Sequence, residues 1–226
     1  SWPTAYKFLQ DALAVAAAGD EIHIADGIYK PDQDEAGNIT PGERTQTFQL
    51  ITGVALYGGH RGCPGADCGS SNPDERDIDL YETSLSGDLN GDDAPVSCTH
   101  DCAFYGGRCI DGFCIIEANN SENSYHVVTG SYTDETAVLD GFTIAGGNAN
   151  GATTYKGAGV FIEAGSPTVA KCRFIGNSAS GEGGGMHNQN DSSPTLTNCT
   201  FSGNTAQYGG GINLNDSSAT LTNCTF

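Results

Sequence analysis

The last third of the chain writes one pattern of apolar and polar positions three times. The blocks are GAGVFIEAGSPTVAKCRFIGNSAS (157–180), GGGMHNQNDSSPTLTNCTFSGNTA (183–206) and GGGINLNDSSATLTNCTF (209–226). Val160, Met186 and Ile212 correspond, as do Cys172, Cys199 and Cys224, and Phe174, Phe201 and Phe226, which gives a unit of 25–27 residues. A period of this size predicts a solenoid whose units pack only on their neighbours. Cys199 and Phe201 are two apart, as are Ile212 and Leu214, so each pair faces one side of a short strand. Leu196 and Cys199 are three apart, so both face inward only if the chain bends at Asn198. Further bends fall at Gly203-Asn204 and in the NDSS segments 190–193 and 215–218. Three strands and three bends make a closed coil that rises one strand spacing, about 4.8 Å. The expected fold is all-β, a right-handed single-stranded parallel β-helix.

The recurring residues read as scaffold. Cys172, Cys199 and Cys224 would form one buried ladder, and Phe174, Phe201 and Phe226 another. Asn177 and Asn204 would stack beside a bend, where their amides can satisfy backbone groups freed by the turn. Further back, Leu56, Leu85, Leu139, Val169, Leu196 and Leu221 fit one slot. Two positions later stand Gly58, Gly87, Gly141, Lys171, Asn198 and Asn223. Glycine and asparagine tolerate a left-handed backbone, which predicts a turn there in each coil, with Lys171 as the misfit.

The whole chain reads as one domain. Residues 4–18 carry helical spacing at Phe8, Leu9, Ala12, Leu13 and Ala16 between Pro3 and Gly19, so residues 1–19 are expected to cap the stack. First coils follow over 20–58, with Ile22 and Ile24 inward and His23 toward solvent. Residues 59–80 and 88–120 are irregular and turn-rich, and are expected to project as loop excursions. Regular coils occupy 121–226 and stop at the second TLTNCTF, in the middle of a coil. That ending suggests a piece of a longer protein, or an open edge that a second chain could extend.

Composition narrows the function. Nine cysteines divide into the three of the ladder and six in the excursions: Cys63, Cys68, Cys98, Cys102, Cys109 and Cys114. Six cysteines in irregular loops suggest disulfides and an oxidising compartment, with zinc as the alternative; the CxxC spacing usual for zinc is absent. The net charge is −19, and residues 1–150 hold 24 acidic against 6 basic side chains. That balance excludes a basic face for nucleic acid. No apolar run is long enough to span a membrane. The run Asp88, Asn90, Asp92, Asp93 places oxygen ligands at calcium-loop spacing, but it lacks the closing glutamate, so an acidic turn is the alternative. Calcium there is the one cofactor the sequence suggests. The five histidines show no ligand spacing. Arg173 lies between inward Cys172 and Phe174 and faces out beside threonines, so the regular coils show no catalytic constellation. Asp191 and Asp216 stack within turns, where aspartate is common.

The GGG-hydrophobic and FxxN elements (Phe174 to Asn177, Phe201 to Asn204) resemble the repeats of the polymorphic outer membrane protein family. The front, LQDALAVAAAGDEIHIADGIY with GVALYGG, RD and LSGDLNGDD, is similar to the start of pectin-lyase-like β-helix proteins secreted by environmental bacteria. The resemblance implies the fold more than an activity, because this fold hosts lyases, hydrolases, adhesins and structural proteins. The expected protein is an extracellular or cell-surface β-helix scaffold, non-catalytic, with a polysaccharide or cell-surface partner met by its loops. The alternatives are a self-associating subunit of an extracellular filament, and a polysaccharide lyase or hydrolase whose site lies outside the regular coils.

Overall fold

The computed structural model describes residues 2, 5–63, 72–93 and 120–226, with the backbone of three further strands at 96–97, 108–110 and 113–115. Three parallel sheets run along the stack. The first holds β1 (Glu21–Ala25), β4 (Ala55–His60), β10 (Val138–Asp140), β14 (Thr168–Ala170), β18 (Thr195–Thr197) and β21 (Thr220–Thr222). The second holds β2 (Gly27–Tyr29), β5 (Thr83–Ser86), β11 (Thr143–Ala145), β15 (Arg173–Ile175) and β19 (Thr200–Ser202). The third holds β3 (Phe48–Gln49), β9 (Val128–Thr129), β13 (Val160–Glu163), β17 (Met186–Gln189) and β20 (Ile212–Asn215). The chain visits the three sheets in turn, so five coils are complete and β21 opens a sixth. This is a parallel β-helix.

Register turns the repeats into columns. Leu56, Leu139, Val169, Leu196 and Leu221 are successive partners in the first sheet. Leu85, Ile144, Phe174 and Phe201 are partners in the second. The rings of Phe174 and Phe201 stack at 4.3 Å, and those of Phe201 and Phe226 at 4.9 Å, each pair nearly parallel. Phe174 and Phe201 are buried, but Phe226, expected to be buried with them, is exposed because no coil follows it in the stack. One such ring, fully buried, contributes roughly 1.5–3 kcal/mol. Leu85 therefore belongs one strand later than the leucine slot expected from the sequence. Strands β4 and β5 are two sides of the same coil, and the recurring Leu-x-Gly disguised this.

The corner between the first two sheets is left-handed at Gly141, Lys171, Asn198 and Asn223. In the second coil Gly59, not Gly58, takes that conformation, because β4 runs on to His60. The GGG runs sit at the entry to the third sheet for two different reasons. Gly183 has φ +65°, and a Cβ there would lie 2.3 Å from the Met186 carbonyl oxygen. Gly185 is not left-handed, but its Cβ would meet the Gly211 carbonyl at 2.6 Å and the Phe201 ring at 2.8 Å. The first glycine makes the turn, and the third lets neighbouring coils approach.

The helix expected over 4–18 is confined to α1 (Leu9–Val15). Phe8 and Ala16 flank it in extended conformation, and Phe8 offers no side-chain cap. Helix propensity alone does not hold a segment this short. Ala17 instead donates to Asp20 Oδ2 at 2.8 Å, and Gly19 to the Gly53 carbonyl at 2.7 Å, which draws the chain into the first coil. Leu9 and Leu13 are buried and join the main core.

Both excursions arise from the second coil. The first links β4 to β5, and the second links β5 to β9. The second is not wholly irregular. It carries an antiparallel sheet of β6 (Val96–Ser97), β7 (Arg108–Ile110) and β8 (Phe113–Ile115), with β8 in the middle. Short strands of two or three residues give too little alternation to be read from sequence. Between the second and third sheets β12 (Asn148–Ala149) pairs in parallel with β16 (Ser178–Ala179), and Lys156, Glu182 and Tyr208 bridge successive coils.

Candidate functional site

The N-terminal end of the stack gathers aromatic side chains around a cleft. Alternation along β1 buries Ile24 and turns Glu21 and His23 outward. His23 is the register partner of Tyr57, and the two rings meet edge to face at 5.8 Å. His60 stacks on His23 at 4.5 Å, almost parallel. Trp2 lies 6.0 Å from His60, and its indole N–H donates to Asp74 Oδ1 at 2.6 Å. A cleft of about 980 Å³ opens here, lined among others by Trp2, Tyr6, Phe8, His23, Tyr29 and Asp74. It lies between the N-terminal cap and the first excursion. Burial and the neighbouring His23 hold the His60 imidazole below its ordinary pKa, against the opposing pull of Asp74.

Sequence spacing gave no hint of this pairing, since His23 and His60 meet only through the register of β1 and β4. A second histidine column was equally hidden. His126 and His187 flank Phe161, at 5.0 and 5.9 Å. Aligning the GGG blocks places Phe161 over His187, so half of this column was available from the repeats. His187 has no exposed surface, and Lys156 Nζ pairs with Glu182 Oε2 at 2.8 Å beside it. Burial lowers the pKa of both His126 and His187.

Of the proposed calcium residues, Asp88 is buried and its Oδ1 accepts the N–H groups of Gly91 (2.7 Å) and Asp92 (3.2 Å). Asn90 is exposed. Glu122, from the far side of the second excursion, joins the aspartates: Asp88, Asp92 and Glu122 each bring an oxygen within 4.8 Å of the others. Asp93 accepts from Asn123 Nδ2 at 2.6 Å, and burial with the surrounding carboxylates pushes its pKa up to about 6.

Elsewhere the site residues read from the sequence take scaffold positions. Asn177 is fully buried: its Nδ2 donates to the Ile144 carbonyl at 2.9 Å, and its Oδ1 accepts from Gly147 N–H at 3.0 Å. Asn204 repeats this one coil on, donating to the Phe174 carbonyl at 2.8 Å. Asn223 donates to Asn198 Oδ1 at 2.6 Å. Cys172 and Cys199 are free buried thiols, raised by burial, Cys199 to about 11. Cys224 is free and half-buried. Such thiols are inert. Cys63 is disulfide-bonded. Cys109 and Cys114 are backbone partners across β7 and β8. Cys68, Cys98 and Cys102 lie outside the described residues. Arg173 stands between Thr143 and Thr200 on the outer face. No helix among the described residues is long and apolar enough to cross a membrane.

Three parallel sheets wound coil upon coil define the class, a parallel β-helix. Residues 96–226, more than half of the chain, match the family described as "Right handed beta helix region", and the chain belongs to that family. No curated protein and no solved structure matches the chain.

Proposed function

We propose that the protein is an extracellular β-helix scaffold that binds carbohydrate without cleaving it, in the cleft between its N-terminal cap and first excursion. The observation that carries this reading is the cleft itself. Aromatic faces at Trp2, Tyr6 and His23 line it together with the carboxylates of Asp20, Glu21 and Asp74. Sugars are held by such pairs, with C–H faces on rings and hydroxyls on carboxylates. The net charge of −19 repels polyanions, so the favoured ligand is a neutral or amino-bearing glycan rather than a uronate. The six excursion cysteines suit an oxidising compartment, and the likeness of the repeats to surface-protein repeats agrees.

Titration calorimetry against neutral and amino-sugar oligosaccharides tests the proposal. Binding is expected with no sugar released. Tyr6→Ala and His23→Ala should each weaken it by about three- to tenfold, the worth of one stacked ring. Absence of binding across the panel removes the reading. Release of new reducing ends would replace it with a hydrolase, and release of unsaturated uronates from a uronate oligosaccharide added to the panel would replace it with a lyase.

A further inference from the structure

The second excursion leaves the second coil after residues 88–93 and returns through residues 120–123. The acidic residues described above stand on both stems. Asp88, Asp92 and Asp93 come from the outgoing stem, and Glu122 with Asn123 from the returning one. Oxygens of Asp88, Asp92 and Glu122 lie within 4.8 Å of one another. Two cations stand nearby: Lys30 Nζ donates at 3.2 Å to the Leu89 carbonyl, and Arg44 Nε at 2.6 Å to the Asn123 carbonyl.

Asn123 supplies an independent observation. It is 1% exposed, and its Nδ2 donates both to Asp93 Oδ2 (2.6 Å) and to the Gly146 carbonyl (2.7 Å). Those two bonds fix which end of the amide is oxygen. That oxygen, on the same amide as the nitrogen that holds Asp93, is buried with no donor, and so are Asp93 Oδ1 and Glu122 Oε1. Buried oxygens of this kind are rarely left without a partner. Acceptors with no donor, converging from two chain segments, are what a hard cation requires.

We propose that this group is a calcium site that ties the two stems of the second excursion together, with Asp88, Asp92 and Glu122 as carboxylate ligands and Asn123 and Asp93 completing the oxygen set. Calcium fits better than magnesium. Calcium accepts amide oxygens and irregular geometry, whereas magnesium demands near-ideal octahedral geometry. The ion would anchor the excursion to the corner of the third coil, because Asn123 already bonds Gly146 and Ser124 N–H donates to the Gly87 carbonyl at 2.8 Å. This inference does not depend on carbohydrate binding.

The test uses the full chain stripped with chelator. Radiolabelled calcium in equilibrium dialysis should saturate at one ion per chain, with half-saturation at or below about 1 mM, the range of extracellular modules. Calcium should raise the melting temperature more than magnesium at equal concentration. Asp92→Asn and Glu122→Gln should each weaken binding roughly tenfold or more, while Asp216→Asn, in a remote turn, leaves it unchanged. Circular dichroism checks that the variants fold. Lack of uptake by the wild-type chain at about 10 mM calcium, or undiminished uptake by the Asp92→Asn/Glu122→Gln double variant, overturns the proposal.

Discussion

Lys171 shows what one position in a coil has to satisfy. It takes φ +50° where its counterparts are Gly141, Asn198 and Asn223. A left-handed backbone costs an ordinary residue about 1–2 kcal/mol, and asparagine less. The lysine regains part of this through Asp140, with Nζ 3.3 Å from Oδ2. That side chain is 44% exposed, so the pair is worth below about 1 kcal/mol. Asp140 already holds the Arg76 guanidinium, so it keeps a partner without Lys171. Strain therefore outweighs the ion pair. Lys171→Asn should stabilise the protein by roughly 0.5 kcal/mol, and Lys171→Gly by about 1 kcal/mol, read as a rise of a few degrees in melting temperature. A lower melting temperature for both variants would mean that the ion pair dominates.

The corner asparagines are the comparable test for a whole element. Asn177 holds the Ile144 carbonyl, the Gly147 N–H and Asn204 Oδ1 at once, at 2.9, 3.0 and 3.0 Å. Asn177→Ala would leave the two backbone groups buried and unpaired, at about 1–3 kcal/mol each. We expect chemical denaturation to show a loss of roughly 2–4 kcal/mol. Asn204→Ala should cost clearly less, because Asn204 is half-buried and water can replace its amide. Equal losses would show that the ladder acts through packing alone. This element was legible in the sequence because Phe-x-x-Asn recurs at the coil period, and every recurrence fixes the same inward slot. Asn198 was legible for another reason, since only a bend brings both Leu196 and Cys199 inward. The excursions offer neither kind of constraint. Glu122 joins Asp88 across 34 positions, and His60 reaches His23 across a coil. The first contact depends on where an irregular segment returns and the second on the pairing of β1 with β4, and no period encodes either. The leucine slot failed at Leu85 on the same ground, where an excursion interrupts the coil between β4 and β5.

For the whole molecule, burying histidines within the stack has an electrostatic consequence. The bridged residues Lys156, Glu182 and Tyr208 run from coil to coil, and Glu182 Oε2 comes within 3.7 Å of His187 Nδ1. His187 then faces Glu182, Lys156, Gln189 and Asn213, while His126 faces His187 and the Gly157 carbonyl. At the other end of the stack His60 faces His23, Arg76 and Asp74. Burial lowers all three pKa values below the unfolded value of about 6.5. A depressed histidine contributes stability that is present above about pH 6.5 and is lost as pH falls toward the folded pKa, because the unfolded chain binds the proton first. Each such group costs at most about 1.4 kcal/mol per pH unit. Asp93 acts in the opposite sense: raised to about 6, it favours the folded state as pH falls through that value. The three histidines and Asp93 thus oppose one another, and we expect the histidines' loss to outweigh the gain at Asp93. The melting temperature of chelator-treated protein should therefore fall between about pH 7.5 and pH 5.5. His187→Phe continues the Phe161 ring into the next coil and should flatten part of that fall. A melting temperature that holds or rises toward pH 5.5 would mean that these imidazoles charge in place.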